Sequence, residues 1–247
     1  MHPIFLFDLD QTLLDFHASE HKALEIIAKK YNLNYSEEEY LNFKKFNKSL
    51  WLEMEKGAIS RTELFCKRFT EFIKDCGGET LCLDPLQINH EFILTMSQNG
   101  VLMNGALEFI KQLKSDISDC KIYIISNGAT VNAKGRIKST GLDEFLDGIF
   151  ISESMGVTKP AVEFFDIVLS EIGAVKESCI VIGDSLSSDM AGAQNASLCS
   201  VWFMPQESDV SDIEKEIKKY NIDYCAASFD ELYDILKKWA DNKFDRE

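Results

Sequence analysis

The sequence predicts an α/β protein, a doubly wound parallel sheet with a helical domain inserted into it. A short apolar run at residues 4–7 passes directly into Asp8 and Asp10, and such a run is typical of a strand buried on both faces. From residue 105 onward, strand-like runs alternate with helical patterns, which favours a parallel sheet. Between these parts the spacing is helical only. The predicted domains are therefore an α/β core over 1–15 and 100–247 and a helical cap over 16–99.

Composition excludes several classes of protein. The chain has 247 residues and a net charge of −15, which argues against a nucleic-acid polymer or an anionic membrane surface as the main partner. The N-terminal segment lacks the basic region of a signal peptide, and no apolar stretch approaches the roughly 18 residues of a membrane span. We therefore expect a cytoplasmic protein, as a monomer or homodimer. The seven cysteines include no Cys-x-x-Cys pair, which favours buried free thiols over a zinc site.

Four helices are predicted in the cap. The first has Ala23, Leu24 and Ile27 at helical spacing. The next two begin at capping boxes, in which a serine is followed three residues later by a glutamate; these start at Ser36 and Ser60. The fourth begins at the Asp-Pro pair of residues 84–85 and runs through residue 96.

Strands and helices are predicted to alternate along the core. After the first strand, the expected strands cover residues 121–126, 148–152, 179–183, 198–203 and 224–227. The expected helices cover residues 106–114, 130–139, 161–173, 189–195 and about 212–220, with a last helix from about 229.

Polar residues that can do chemistry stand where several of these strands end. Asp8 and Asp10 follow the first strand, and side-chain alternation would point both carboxylates to one side. Ser126-Asn127-Gly128 ends the second, Asp184 and Asp189 follow the fourth, and Lys159 lies after the third. Because ligands of open α/β sheets bind beyond the carboxyl ends of the strands, we expect these residues to meet at one edge.

This set of residues suggests phosphoryl transfer to a carboxylate. An aspartate can attack phosphorus and form an aspartyl-phosphate, while a neighbouring acid protonates the leaving oxygen and then activates water. Mg²⁺ suits an all-oxygen site, with Asp8 and Asp184 as ligands. The hydroxyl and backbone N–H groups of Ser126-Asn127-Gly128 suit phosphate oxygens. Lys159 supplies the positive charge that an anionic substrate needs in so acidic a chain.

The same residues, in the same order, resemble the haloacid dehalogenase superfamily. The matching motifs are Asp-x-Asp-x-Thr at residues 8–12, then Ser126, then Lys159, then Gly-Asp-x-x-x-x-Asp at residues 183–189. The resemblance implies Asp8 as nucleophile and Asp10 as general acid/base. It also implies Mg²⁺ held by Asp8, the Asp10 carbonyl and Asp184, with Asp189 supporting or completing the metal site.

The cap resembles the pyrimidine 5′-nucleotidase group of that superfamily. The matching segments are Asn47-Lys48-Ser49-Leu50-Trp51, Gly57-Ala58-Ile59, Glu63-Leu64 and Arg68-Phe69. This likeness implies a phosphatase of nucleoside monophosphates, with a small phosphorylated substrate, and makes Asn47 and Lys48 candidates for substrate binding. Both could instead be ordinary helix surface.

Other functions remain open on the sequence alone. A phosphatase or mutase of a small sugar phosphate would use the same central motifs. Dehalogenation of a 2-haloacid needs neither a metal nor an acid at the second aspartate position of the motif, so the presence of Asp10 argues against this reaction. A non-catalytic binding protein usually lacks one of the acids, and all are present here. Ser126 and Asp189 could also be simple helix caps.

Overall fold

The computed structural model describes residues 2–55, 57–204 and 212–244. Its contacts divide the chain into two units, of which one runs through Phe16 and resumes at Gly100, and the other is His17–Asn99. The predicted domain ranges also include residue 1 and the stretches 56, 205–211 and 245–247, which lie outside the described residues. No helix within the described ranges is both long and apolar enough to cross a lipid bilayer.

Strands and helices alternate along the core, whereas the elements of the inserted segment are helices. In chain order they are β1 (Ile4–Phe7), α1 (Phe16–Lys30), α2 (Glu37–Glu55), α3 (Arg61–Asp75), α4 (Pro85–Gln98), α5 (Ala106–Asp116), β2 (Lys121–Ser126), α6 (Thr130–Ser139), β3 (Gly148–Ile151), α7 (Ser152–Met155), α8 (Val162–Ile172), β4 (Cys179–Gly183), α9 (Ala191–Ala196), β5 (Cys199–Phe203), α10 (Ile213–Tyr220), β6 (Tyr224–Ala226) and α11 (Phe229–Phe244).

The six strands form one parallel sheet in the order β3-β2-β1-β4-β5-β6. The order reverses between β1 and β4, where Phe7 is in register with Ile182. In doubly wound sheets, the crevice beyond the carboxyl ends of the strands at this reversal is where ligands bind. The fold class predicted from the sequence is confirmed, and β1 lies at the centre of the sheet.

Alternating residues of β1 enter two separate cores, one on each face of the sheet. Phe5 and Phe7 pack in a cluster with residues of α5 and α11, whereas Ile4 and Leu6 pack in a cluster with residues of α8. All four are at most 4% exposed. The strand is therefore fixed on both faces, and the residues that follow it emerge at a defined place on the sheet edge.

The unit His17–Asn99 has an aromatic core of its own. Phe43, Phe69, Phe72 and Phe92 come from three helices and pack with ring centroids 5.3–6.2 Å apart. The predicted capping box at the start of α3 is present, because Ser60 and Glu63 each accept the other's backbone N–H. Such a cap stabilises a helix end by satisfying donors that have no partner within the helix.

Several predicted boundaries in the core differ from the structure by one or two residues, and two of these follow the third and fourth strands. The third strand ends at Ile151, and Ser152 begins the short helix α7. The predicted helix over 189–195 is preceded by a single π-helical turn at Leu186–Met190, and α9 begins only at Ala191. The π turn carries Asp189, whose backbone N–H bonds to the Ser185 carbonyl at 2.9 Å. Wider helical turns of this kind are frequent at functional sites.

Candidate active site

Three carboxylates meet beyond the carboxyl ends of β1 and β4. Oxygens of Asp8, Asp184 and Asp189 all lie within 4.8 Å of one another. Asp8 follows the last residue of β1, and its backbone N–H bonds to the Ile182 carbonyl of β4 at 2.7 Å. The residues predicted from opposite ends of the sequence to share one site are therefore neighbours.

Lys159 lies between two of these acids. Its Nζ donates to Asp8 Oδ1 and to Asp189 Oδ1, each at 2.6 Å, and to the Ile125 carbonyl at 2.7 Å. The three protons of the ammonium group are thereby used, and the side chain is 1% exposed. Burial alone would lower the pKa of Lys159, but the ion pairs with Asp189 and Asp8 outweigh it, so the pKa is raised and the lysine stays charged.

The surroundings of Asp8 and Asp184 oppose the ionisation of these two acids. Burial raises the pKa of Asp8 well above its usual range; Lys159 acts in the opposite direction, and the charges of Asp189 and Asp184 add to the rise. Burial, and next the charge of Asp189, raise the pKa of Asp184 to about 7. One buried cation is therefore too little for three carboxylates, since like charges at this spacing favour protonation.

The group has the chemistry of a site for a hard divalent cation. It offers carboxylate oxygens only, which suits Mg²⁺ and similar ions, and a second positive charge would relieve the repulsion between the acids. Asp189 is already engaged on both sides, since its Oδ1 accepts from Lys159 and its Oδ2 accepts from the Ser185 N–H at 3.1 Å. Asp8 Oδ2 accepts only a long hydrogen bond from the Thr12 hydroxyl, at 3.5 Å, so Asp8 and Asp184 are the more available ligands.

Asp184 and Asp189 are held by neighbouring backbone and side-chain groups. The indole Nε1 of Trp202 donates to the Asp184 carbonyl at 2.9 Å. Gly183, which ends β4, has no room for a side chain, because a Cβ there would overlap the Asp189 carboxylate. Packing therefore favours glycine at this strand end.

The predicted phosphate loop follows β2 and is connected to Lys159. The Asn127 side-chain amide donates to the Lys159 carbonyl and accepts from the Lys159 N–H, both at 2.9 Å. The Ser126 hydroxyl accepts from the Gly128 N–H at 3.1 Å, which leaves its own proton available to a ligand. Asn127 thus fixes the backbone that carries Lys159, a role that the sequence did not predict.

Asp10 takes a different partner from Asp8. The guanidinium of Arg136, on α6, forms a two-pronged contact with its carboxylate, at 2.5 Å from Nη1 to Oδ1 and 3.0 Å from Nη2 to Oδ2. Sequence reasoning missed Arg136. The available signal was its position between Ala133 and Ile137 on the buried face of α6, where an arginine requires a partner.

The two cap candidates lie in the other unit. Asn47 Oδ1 accepts from Arg68 Nη1 at 3.3 Å, and Lys48 is exposed on α2. That these two residues bind substrate stays a prediction.

The chain is similar to known proteins over most of its length. The family model for haloacid dehalogenase-like hydrolases matches residues 2–197. Pyrimidine 5′-nucleotidase PynA of Streptococcus pneumoniae is 32% identical over 234 residues, which is 94% of each chain. A glyceraldehyde 3-phosphate phosphatase of Methanocaldococcus jannaschii is 28% identical over 240 residues, 94% of this chain and 96% of its own. The crystal structure of YfnB from Bacillus subtilis bound to magnesium superposes with a TM-score of 0.79 at 30% identity, covering 95% of this chain and 98% of that one.

Proposed function

Because the chain belongs to the haloacid dehalogenase-like hydrolase family, we propose that it is a Mg²⁺-dependent phosphatase that hydrolyses nucleoside 5′-monophosphates, preferably pyrimidine ones, through an aspartyl-phosphate on Asp8. The observation that carries this proposal is the meeting of Asp8, Asp184 and Asp189 at the reversal of strand order, with Lys159 bonded to the first and the last of them. The relative named pyrimidine 5′-nucleotidase, similar over 94% of the chain, supports the choice of substrate.

The reaction would run in two steps on the side chains of this site. In the first, an Asp8 oxygen bonds to phosphorus, the bond from phosphorus to the ester oxygen breaks, and Asp10 protonates that oxygen. In the second, Asp10 takes a proton from water, which attacks phosphorus and releases phosphate and the free Asp8 carboxylate. Lys159 and the donors at Ser126-Asn127-Gly128 would offset the phosphate charge.

The donor set fits a bound Mg²⁺. Asp8, Asp184 and the Asp10 carbonyl would hold the ion, with Asp189 supporting them. The ion would supply Lewis acidity toward the phosphoryl group. Lys159 would contribute its positive charge with or without the ion, because its ion pairs with Asp8 and Asp189 are made within the protein.

The segment His17–Asn99 is proposed to act as a cap that selects the leaving group, with Asn47 and Lys48 binding substrate. If so, Lys48→Gln raises KM for a nucleotide several-fold and leaves kcat largely unchanged. A cytoplasmic location is proposed with it, because all seven cysteines are free thiols, as is usual in a reducing compartment.

The nucleophile is tested by Asp8→Asn. We expect loss of phosphate release from UMP with the fold retained by circular dichroism, whereas Asp166→Asn, at an exposed aspartate of α8, serves as the control and keeps full activity. Acid quenching of the wild type during turnover should trap a hydroxylamine-sensitive phosphoenzyme. Undiminished turnover by Asp8→Asn would contradict the mechanism.

The substrate class is tested by a panel of phosphate esters at equal concentration. We expect the highest kcat/KM for UMP and dTMP, lower values for AMP, and the lowest for glyceraldehyde 3-phosphate and glucose 6-phosphate. A clear preference for a sugar phosphate would replace the nucleotidase assignment with the sugar-phosphate alternative. Chloride release from 2-chloropropionate would instead point to dehalogenation.

A further inference from the structure

Arg136 is a fully buried cation that takes no part in the group of three acids. The residue is 1% exposed, and its guanidinium is directed at the Asp10 carboxylate through two parallel hydrogen bonds. Burying a guanidinium is expensive unless it is paired and hydrogen-bonded. The contact with Asp10 provides both, in the planar geometry that arginine, unlike lysine, can match.

Two further contacts fix the guanidinium from other sides. Its Nε donates to Asn132 Oδ1, one turn earlier on α6, at 2.6 Å. Its Cζ lies 5.3 Å from the centre of the Phe16 ring, a cation–π contact. Asn132 on α6 and Phe16 therefore fix the plane of the guanidinium. The two N–H groups that donate to the Asp10 carboxylate are held in a fixed orientation.

The backbone of the same residue packs against another part of the core. The Arg136 carbonyl lies so close to Gly100 that a Cβ on this glycine would be 2.6 Å away. The Gly100 N–H donates to Ser139 Oγ at 2.9 Å, and that hydroxyl donates to the Arg136 carbonyl at 3.0 Å. Arg136 thus contacts the chain at residues 16 and 100, the two ends of the core segments that flank the insertion.

We propose that Arg136 is a positioning residue: it fixes the orientation of the Asp10 carboxylate for proton transfer with the leaving oxygen and with water. This inference rests on the proposed function, since it takes Asp10 as the general acid/base. Arg136 would act only through Asp10, and its loss would leave the nucleophile Asp8 and the cation Lys159 in place.

A positioning role predicts a dependence on the leaving group. Departure of a nucleoside 5′-alkoxide requires a proton, whereas p-nitrophenolate leaves readily without one, so general acid catalysis matters far more for the nucleotide. The parameter kcat/KM reports the steps up to leaving-group departure. A change in kcat/KM therefore reports on the step in which Asp10 donates a proton to the leaving oxygen, and not on the later attack by water.

The test is kcat/KM of Arg136→Ala with UMP and with p-nitrophenyl phosphate. General acid catalysis contributes about 10²–10⁴-fold, so we expect a loss of about 10²-fold or more with UMP. With p-nitrophenyl phosphate we expect less than about a tenth of that effect. Arg136→Lys should recover only part of the rate with UMP, and added guanidinium ion should partly rescue Arg136→Ala. Equal losses with both substrates would show a merely structural role and overturn the inference.

A double-mutant cycle with Asp10→Asn provides the second readout. If Arg136 acts through Asp10, Arg136→Ala lowers kcat/KM for UMP little further in the Asp10→Asn background. Multiplying losses would overturn the inference. Lys138→Ala is the matched control, because it removes an exposed cation from the same helix and should change neither substrate's rate.

Two milder variants keep the test decisive if Arg136→Ala does not fold. Asn132→Ala and Phe16→Leu each remove one contact that fixes the guanidinium and leave the arginine in place. Both should show a smaller loss with the same bias toward UMP, and an unbiased loss would contradict the proposal. Failure of the proposed function would look different, because the wild type itself would then release little phosphate from UMP, whatever its rate with p-nitrophenyl phosphate.

Discussion

Lys159 shows at the scale of one residue how this site balances its charges. It is a single ammonium group in contact with two buried carboxylates, with a third acid nearby. A buried ion pair adds little net stability over an apolar isostere, but removal of one partner leaves the other uncompensated. The lysine is therefore needed both for the proposed reaction and for the fold around it.

We predict that Lys159→Met destabilises the protein and removes its activity. Loss of one partner of a buried pair destabilises by about 3–5 kcal/mol, which urea unfolding without divalent cations would measure. Lys134→Met, at an exposed lysine of α6, is the control and should leave the unfolding midpoint unchanged. A Lys159→Met variant as stable as the wild type would show that the acids are not charged in the folded state.

A second prediction at this scale concerns Gly183. Alanine there would force its Cβ into the Asp189 carboxylate, so Asp189 or the end of β4 must move. Overpacking of this kind destabilises by about 1–3 kcal/mol, and we expect phosphate release to fall at least tenfold because Asp189 holds Lys159. A stable and fully active Gly183→Ala variant would show that the site tolerates a shift of Asp189.

Elements built on strong local signals were predicted well from the sequence. The second strand and the helix after it have the predicted bounds, because an uninterrupted apolar run ends in a Ser-Asn-Gly turn. The π turn at Leu186–Met190 was not predicted, and its Asp189 accepts from Lys159, 30 positions away in the sequence. Arg136 was missed because its partner Asp10 is 126 positions away. Contacts between residues so far apart leave no local pattern in the sequence.

The helical unit His17–Asn99 contains a buried acid whose effect on stability can be measured. Glu20 on α1 is 3% exposed. Burial raises its pKa from 4.5 to about 7, although the charges of Arg68 and Lys44 act against the rise. Because the folded state holds this proton more tightly than the unfolded chain, Glu20 makes stability fall as pH rises from 4.5 to about 7.

We predict that Glu20→Gln stabilises the protein at pH 8 and not at pH 4.5. The shift corresponds to about 3 kcal/mol at full ionisation, so the free energy of unfolding of the variant should exceed that of the wild type by about 2–3 kcal/mol at pH 8. Denaturant unfolding at both pH values measures it. Glu25→Gln, at an exposed glutamate of the same helix, is the control and should show no such difference. A variant less stable than the wild type at pH 8 would mean that the ionised Glu20 stabilises its neighbours.

At the scale of the whole molecule, a chain with a net charge of −15 gathers three of its acids beside the central strand. The order of strands places the end of β1 beside the end of β4, which is why Asp8 and Asp184 meet although 176 positions separate them in the sequence. This meeting could be predicted, because parallel strands bring their carboxyl ends to one edge. The hydrogen bonds of Asn127 with Lys159 and of Asp10 with Arg136 could not be predicted, because they depend on side-chain packing.

At the scale of the molecule, we predict that Mg²⁺ raises the thermal unfolding midpoint and that chelation reverses the rise. An ion that binds only the folded state at 100 times its Kd stabilises by about 2.7 kcal/mol. Asp184→Asn should largely remove the shift, whereas the exposed-site variant Asp166→Asn should retain it. Phosphate release should stop in EDTA and return with added Mg²⁺. A midpoint indifferent to the ion would contradict the assignment of these acids as ligands.

The hydrogen bond from Trp202 to the Asp184 carbonyl gives the protein an intrinsic optical reporter. Trp202 is 2% exposed, and its indole N–H touches the backbone of a residue proposed to bind the ion. Indole emission responds to local charge, so a chain in which Trp51 and Trp239 are replaced by phenylalanine should change its fluorescence when a cation arrives. Occupancy of the site could then be followed without label, substrate or turnover.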